Sequence, residues 1–239
     1  MLSCKFLNRI TNLKAVVIEF YWGSPSKDWV IVTNNSHGNT VKSSFLAYAG
    51  EGWTCDVRGV NFGLIFGEYD YVSKLQEIPY DIVICSWRVD SYFYRHLDKI
   101  VTELAIPVFM PSSALAFNPQ THYTGYGIIF VGSSTTYPSG RLETWDTASN
   151  LTGPDTDYTS YTTAVVAGKS TVLVEAGFTG FEVKRAVQEQ SSQYPTWDSQ
   201  NGYGEAPALY TPTLIAPPVP PEPEPIIIPA PKFGNPFIM

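Results

Sequence analysis

Asp157-Tyr-Thr-Ser-Tyr-Thr-Thr-Ala-Val-Val-Ala-Gly168, running on through Lys169-Ser-Thr-Val-Leu-Val-Glu175, decides how the rest of the chain reads. Small and β-branched side chains crowd its first half. An apolar helical pattern (Val165, Val166, Val172, Leu173) fills the second and predicts a helix from Val165 to Glu175. A turn of small residues entering that helix would put Ser160 at its N-terminus. Unpaired N–H groups and the positive end of the helix dipole gather at such a position. They favour developing negative charge, which is what a nucleophilic hydroxyl needs beside it. Taken alone, the segment reads first as a capped core helix.

Upstream, the chain alternates between short apolar runs and helical patterns. Lys14-Ala-Val-Val-Ile-Glu-Phe20 is a run of β-formers fit for a buried parallel strand, and Asp28 to Thr33 reads as a second strand. Asn34 to Gly38 is a turn leading to a helix over Asn39–Ala49, and Val57 to Phe66 is a further strand or strand pair. A short helix is expected over Asp70–Leu75. Asp81-Ile-Val-Ile-Cys-Ser86 has the composition of a central strand, Tyr92–Leu104 carries one apolar stripe, and Ile106–Met110 and Gly127–Gly132 complete the strands. A last helix is expected over Phe181–Gln190. This alternation predicts an α/β domain with a mostly parallel central sheet and helices on both faces.

The chain has 239 residues, enough for one such domain with an appendage. We place the domain at residues 1–210 and a proline-rich arm at 211–239. Pro212-Thr-Leu-Ile-Ala-Pro-Pro-Val-Pro-Pro-Glu-Pro-Glu-Pro225 lacks the N–H donors for a helix or an inner strand, and it reads as an extended, polyproline-II-like arm ending in the apolar Phe233–Met239. A net charge of -7 argues against nucleic acid as a partner, since phosphate binding needs clustered Lys and Arg. No apolar run is long enough to span a membrane. The first residues carry neither the apolar core nor the cleavage site of a secretory signal, so synthesis in the cytoplasm is expected. Cys4, Cys55 and Cys85 are scattered and read as reduced thiols. Neither GxGxxG nor GxxxxGK[ST] follows any strand, which argues against a nucleotide binder.

Three segments in order resemble the subtilisin-like serine peptidases. Thr159-Ser160 and Val166-Ala-Gly168 are similar to that family's nucleophile segment, Gly-Thr-Ser-Met-Ala-x-Pro-His-Val-Ala-Gly, with Tyr158, Ala164 and Val165 replacing its first Gly, Pro and His. Ser36-His-Gly38, with Val41, resembles the family's His motif. Ala15-Val-Val-Ile-Glu19 stands where the family has a strand ending in Asp. The resemblance covers about Leu13 to Ala206. It implies a subtilisin-like fold with Ser160 as nucleophile, His37 as general base and Glu19 as the acid orienting His37, with Asp28 as the alternative acid. No Asn stands in register with the family's oxyanion donor, and Asn118 could serve only with a local insertion. Trp87-Arg-Val89 replaces the glycines that line the family's substrate cleft, and Leu151-Thr-Gly-Pro154 stands where the family has Ala-Pro-Gly.

The implied activity is a serine endopeptidase acting on a peptide or protein, with no metal and no organic cofactor. The alternative is a catalytically inactive structural subunit of a larger assembly, virion- or tail-like, reaching neighbouring subunits through its proline-rich arm. The abundance of Tyr, Phe and Trp and the low charge suit such a particle-associated protein. A peptide-binding pseudoenzyme is the third possibility, with the cleft kept and the turnover lost.

Overall fold

The structure is a computed structural model. It describes residues 12–21, 30–32, 34–61, 70–85, 91–111, 127–133, 140–142, 156–196 and 203–213. In chain order the elements are β1 (Lys14–Tyr21), β2 (Val30–Ile31), α1 (Ser36–Leu46), β3 (Thr54–Asn61), α2 (Tyr71–Glu77), β4 (Ile82–Cys85), α3 (Ser91–Leu104), β5 (Val108–Pro111), β6 (Ile129–Ser133), β7 (Gly140–Leu142), α4 (Thr156–Lys169), α5 (Thr171–Glu175) and α6 (Gly180–Glu189).

The strands form one sheet of seven in the order β2-β3-β1-β4-β5-β6-β7. The five inner strands run parallel. The two edge strands, β2 and β7, pair antiparallel with their neighbours. The expected architecture is therefore present as a mostly parallel α/β sheet. The reason lies in the strands themselves: β4 and β5 are buried at every position, as a sheet covered on both faces requires.

Side-chain alternation sorts the core into two layers. On one face Ala15 and Val17 of β1, with Ile82 and Ile84 of β4, pack under Val41 and Phe45 of α1, Val166 of α4 and Val183 of α6. On the other, Val16, Ile18, Val83 and Met110 meet Tyr71 and Leu75 of α2 and Leu97, Ile100 and Val101 of α3. β1 joins β3 through α1 on the first face, and β4 joins β5 through α3 on the second. Chain connections thus leave the centre of the sheet in opposite directions at β1 and β4. In open α/β sheets the crevice beyond the carboxyl ends of two such strands is the usual ligand position.

Helix α4 is enclosed on nearly all sides: every residue from Thr162 to Ser170 is buried. A helix can be buried all round only if its polar side chains find partners inside it. Thr162 and Thr163 donate to the Thr159 carbonyl (3.0 and 2.7 Å), and Ser170 donates to the Val166 carbonyl (2.8 Å). Lys169, at its end, reaches out to the Pro207 carbonyl at 3.1 Å. That bond fastens the 203–213 segment over the helix. Thr211 is tied in turn to Gln190 by two hydrogen bonds, of 2.7 and 2.9 Å.

Four elements differ from the sequence reading. The pattern placed a single helix over Val165–Glu175; the chain instead forms α4 from Thr156 and restarts as α5 after Ser170. α1 begins at Ser36, three residues before the expected start, because Asn35 caps it. β2 is a two-residue edge, and β7 was not anticipated. Most of the arm, residues 214–239, lies outside the described residues.

Candidate active site

β1 carries its acid past the end of its pairing with β4, whose last partners are Ile18 and Cys85. The next residue, Glu19, points by alternation to the same face as Val17, toward α1. It is 5% exposed. A carboxylate so deeply buried must be partnered, because desolvation without a compensating bond is costly. His37 supplies the bond: its Nδ1 lies 2.7 Å from Glu19 Oε1. With the carboxylate ionised, Nδ1 carries the proton and donates it, which leaves Nε2 with its lone pair.

The local sequence explains how the two groups meet. Asn35, in an extended conformation, accepts from the Gly38 N–H at 2.8 Å and starts the helix. His37 therefore sits in the first turn of α1, close to Glu19, and the helix runs back along the sheet. Gly38 allows the close approach. A Cβ built on it would lie 2.7 Å from Val57 Cγ1 and 2.8 Å from Glu19 Cγ. The carboxylate also lies beside the positive end of α1, where a negative charge is favoured.

α4 runs beside α1 in the same direction. Thr162 near its start reaches the Gly132 carbonyl at the carboxyl end of β6 (3.5 Å), while Gly168 near its end packs against Phe45 and Tyr48 at the end of α1. The first turns of both helices therefore open at the same edge of the sheet. There the Tyr161 ring faces the His37 ring, with centroids 6.0 Å apart and planes tilted by 35°. Ser160 precedes Tyr161 and is 6% exposed. Helical geometry turns it about 100° from Tyr161 around the axis. Glu19 and His37 are thus in direct contact, and Ser160 lies on the neighbouring helix, one residue from the ring that faces His37.

The local setting of Ser160 corrects one expectation. α4 begins four residues before it, so Ser160 lies in the second turn and not at the N-terminus. Its own N–H falls where the i→i−4 ladder has begun and is not one of the free donors. The N–H groups that a helix leaves without an intrahelical partner belong to its first turn, before Ser160.

No protein-family model matches the chain, and no curated protein matches it.

Asp28 and Asn118, the alternative acid and the substitute oxyanion donor, lie outside the described residues, as do Ser86 to Val89 and Leu151 to Pro154. Among the described residues, no three or more His, Cys, Asp or Glu side chains gather as metal ligands. No helix among them is long and apolar enough to cross a membrane. A cleft of about 670 Å3 opens at the opposite edge of the sheet, where the strands begin, lined by residues such as Lys14, Asp81, Pro107 and Glu175. Its carboxylates are already engaged: Asp81 accepts from the Lys14 N–H (2.9 Å) and Glu175 from the Trp53 indole (2.7 Å). Glu19, His37 and Ser160 are not among its lining residues.

Sequence reasoning missed Tyr161 and the spacing role of Gly38. Asn35-x-x-Gly38, a capping residue three positions before a glycine, was the available sign of a helix start. Nothing in the pattern indicated that Tyr161 would face His37.

Proposed function

We propose that the protein is a hydrolase of the serine-nucleophile type with a subtilisin-like fold, acting on peptide bonds. Ser160 is the nucleophile, His37 the general base and Glu19 the residue that orients His37. The observation that carries this reading is the 2.7 Å bond between a buried Glu19 and His37 at the crevice edge. A carboxylate holding Nδ1–H leaves Nε2 ready to take a proton, which is the arrangement general base catalysis requires. In the reaction, Ser160 Oγ attacks the substrate carbonyl carbon while His37 accepts its proton. The C–N bond then breaks as His37 returns that proton to the leaving amine, and water releases the acyl group by the same two steps.

Labelling with a fluorophosphonate tests it. The folded protein should be modified at Ser160, identified by peptide mass. His37→Ala should slow labelling by about 10²–10⁴-fold, the usual worth of a general base. Folded protein that stays unlabelled at Ser160 removes the hydrolase reading.

The second reading, an inactive structural subunit, draws on the position of Ser160 itself. A hydroxyl in the second turn lies past the first-turn N–H groups that a helix leaves free, and those are the donors an oxyanion at a helix start would use. Exposed apolar side chains at Leu209 (70%) and Phe181 (52%) suit contact with neighbours. Retention of the Glu19–His37 bond in a protein without turnover is the outcome that this reading expects.

A further inference from the structure

We propose that Tyr161 is a positioning residue for His37: its ring packs on the imidazole, holds it in the rotamer that meets Glu19 and favours the imidazolium formed when His37 takes a proton. The assignment relies on the reading above only in naming His37 as the base.

The geometry is that of an aromatic pair. Centroids 6.0 Å apart lie within the 4.5–7 Å range over which such rings attract, and the two planes are tilted by 35°. A phenol ring at this distance attracts a cation placed over its electron-rich face. His37 is only part-buried, with a side chain 31% exposed. Solvent therefore reaches part of the ring. β1 fixes one nitrogen through Glu19, and β3 presents the apolar Val57 behind Gly38. Lys42, further along α1, lies toward Cys55. Tyr161 on α4 meets the ring itself. It is half-buried in a helix buried through most of its length, so its backbone cannot drift.

This arrangement makes two groups share the protonated state of His37. Glu19 stabilises the charge through Nδ1, and Tyr161 stabilises it across the ring. Removing the ring should therefore lower the pKa of His37 without breaking the carboxylate bond.

The test is an NMR titration of the imidazole resonances. The chain has three histidines, and His37 is assigned from the signal lost in His37→Gln. Tyr161→Phe keeps the ring and should leave the His37 pKa within about 0.2 of the parent, because attraction by the ring face does not need the hydroxyl. Tyr161→Leu keeps apolar bulk but has no ring, and should lower it by about half a unit. Tyr161→Met serves the same end if the leucine variant fails to fold. An unchanged pKa in the ring-less variants overturns the proposal. So does a fall in Tyr161→Phe as large as in Tyr161→Leu, since that would assign the effect to the hydroxyl. The titration needs no turnover. A ring-dependent pKa in a protein whose Ser160 resists fluorophosphonate upholds the positioning role and removes the hydrolase reading, and the converse result separates them equally well.

Discussion

Gly38→Ala sets two opposed effects against each other at the point where α1 meets β1. In an ordinary helix the change is favourable, by about 0.8–1.0 kcal/mol in propensity. Here the added methyl would lie 2.7 Å from Val57 Cγ1 and 2.8 Å from Glu19 Cγ, both well inside contact distance. Inserting one carbon into a packed core costs about 1–3 kcal/mol. The buried side chains on either side have little room to yield, so the upper half of that range applies. Net destabilisation should be about 1–2 kcal/mol. In a body of this size that lowers Tm by about 2–8 °C. Urea unfolding followed by tryptophan fluorescence and far-ultraviolet circular dichroism would measure it, with the exposed Asn39→Ala on the same helix as the control for propensity. A second variant isolates the cause. Val57→Ala makes room for the methyl, so Gly38→Ala should cost less in that background, and the double-mutant cycle should show a favourable coupling of at least about 0.5 kcal/mol. The reasoning is refuted if Gly38→Ala raises the urea midpoint as Asn39→Ala does, for then α1 does not press on Glu19.

Gly168→Ala should be more severe, by about 2 kcal/mol or more in urea unfolding, because its methyl would meet the Phe45 carbonyl oxygen at 2.6 Å and backbone cannot swing aside. Burial pushes the Cys55 thiol up to about 12 from 9.0, so the folded state holds its proton where the unfolded state releases it. Stability should be unaffected by this group below pH 9 and then fall by up to about 1.4 kcal/mol per pH unit toward 12, with Cys55→Ala flattening the profile measured by urea midpoints. The same burial should keep Cys55 unreactive toward iodoacetamide until the protein is unfolded. Asp70 caps α2 by accepting from the Ser73 hydroxyl and N–H, and these bonds hold its carboxyl below the usual carboxylate range. Asp70→Ala should cost about 1 kcal/mol at pH 7, and the part of that contribution that needs the ionised carboxylate should be lost as pH falls below 3.8 through the folded pKa, whereas Asp70→Asn should keep most of the cap at every pH.

How far the fold could be read in advance depended on where each signal was stored. β1 and β4 are continuous apolar runs because both faces are covered, and a run of that kind is legible in the sequence. Once β1 was placed, Glu19 stood at its end, where the resembled family has its acid, and alternation then accounts for the face it takes. β7 was missed because its three residues have no pattern of their own and pair only as an edge to β6. The start of α1 was set by one side chain, Asn35, which also fits the turn assigned there. α4 posed the opposite difficulty. Its residues are small, β-branched or polar along most of their length, and no stripe appears because from Thr162 onward no side of it faces water. Periodicity therefore located only its apolar second half and misplaced Ser160 by a full turn. His37 was found through the resemblance of Ser36-His-Gly38 to a family motif, not through periodicity. Its partner Tyr161 is a meeting of two helices more than a hundred residues apart, which local pattern does not encode.

The enclosure of α4 also constrains the order in which this protein can be made. The sheet is nearly finished once β6 has left the ribosome, yet one of its faces is covered mainly by a helix that comes later. Its β-branched residues give α4 little reason to form alone. Until Lys169 and the strap beyond it have emerged, the nascent chain must therefore carry a bare apolar slab. Synthesis, not assembly of the sheet, would then set the moment of final closure, and a chaperone would find its substrate in that interval.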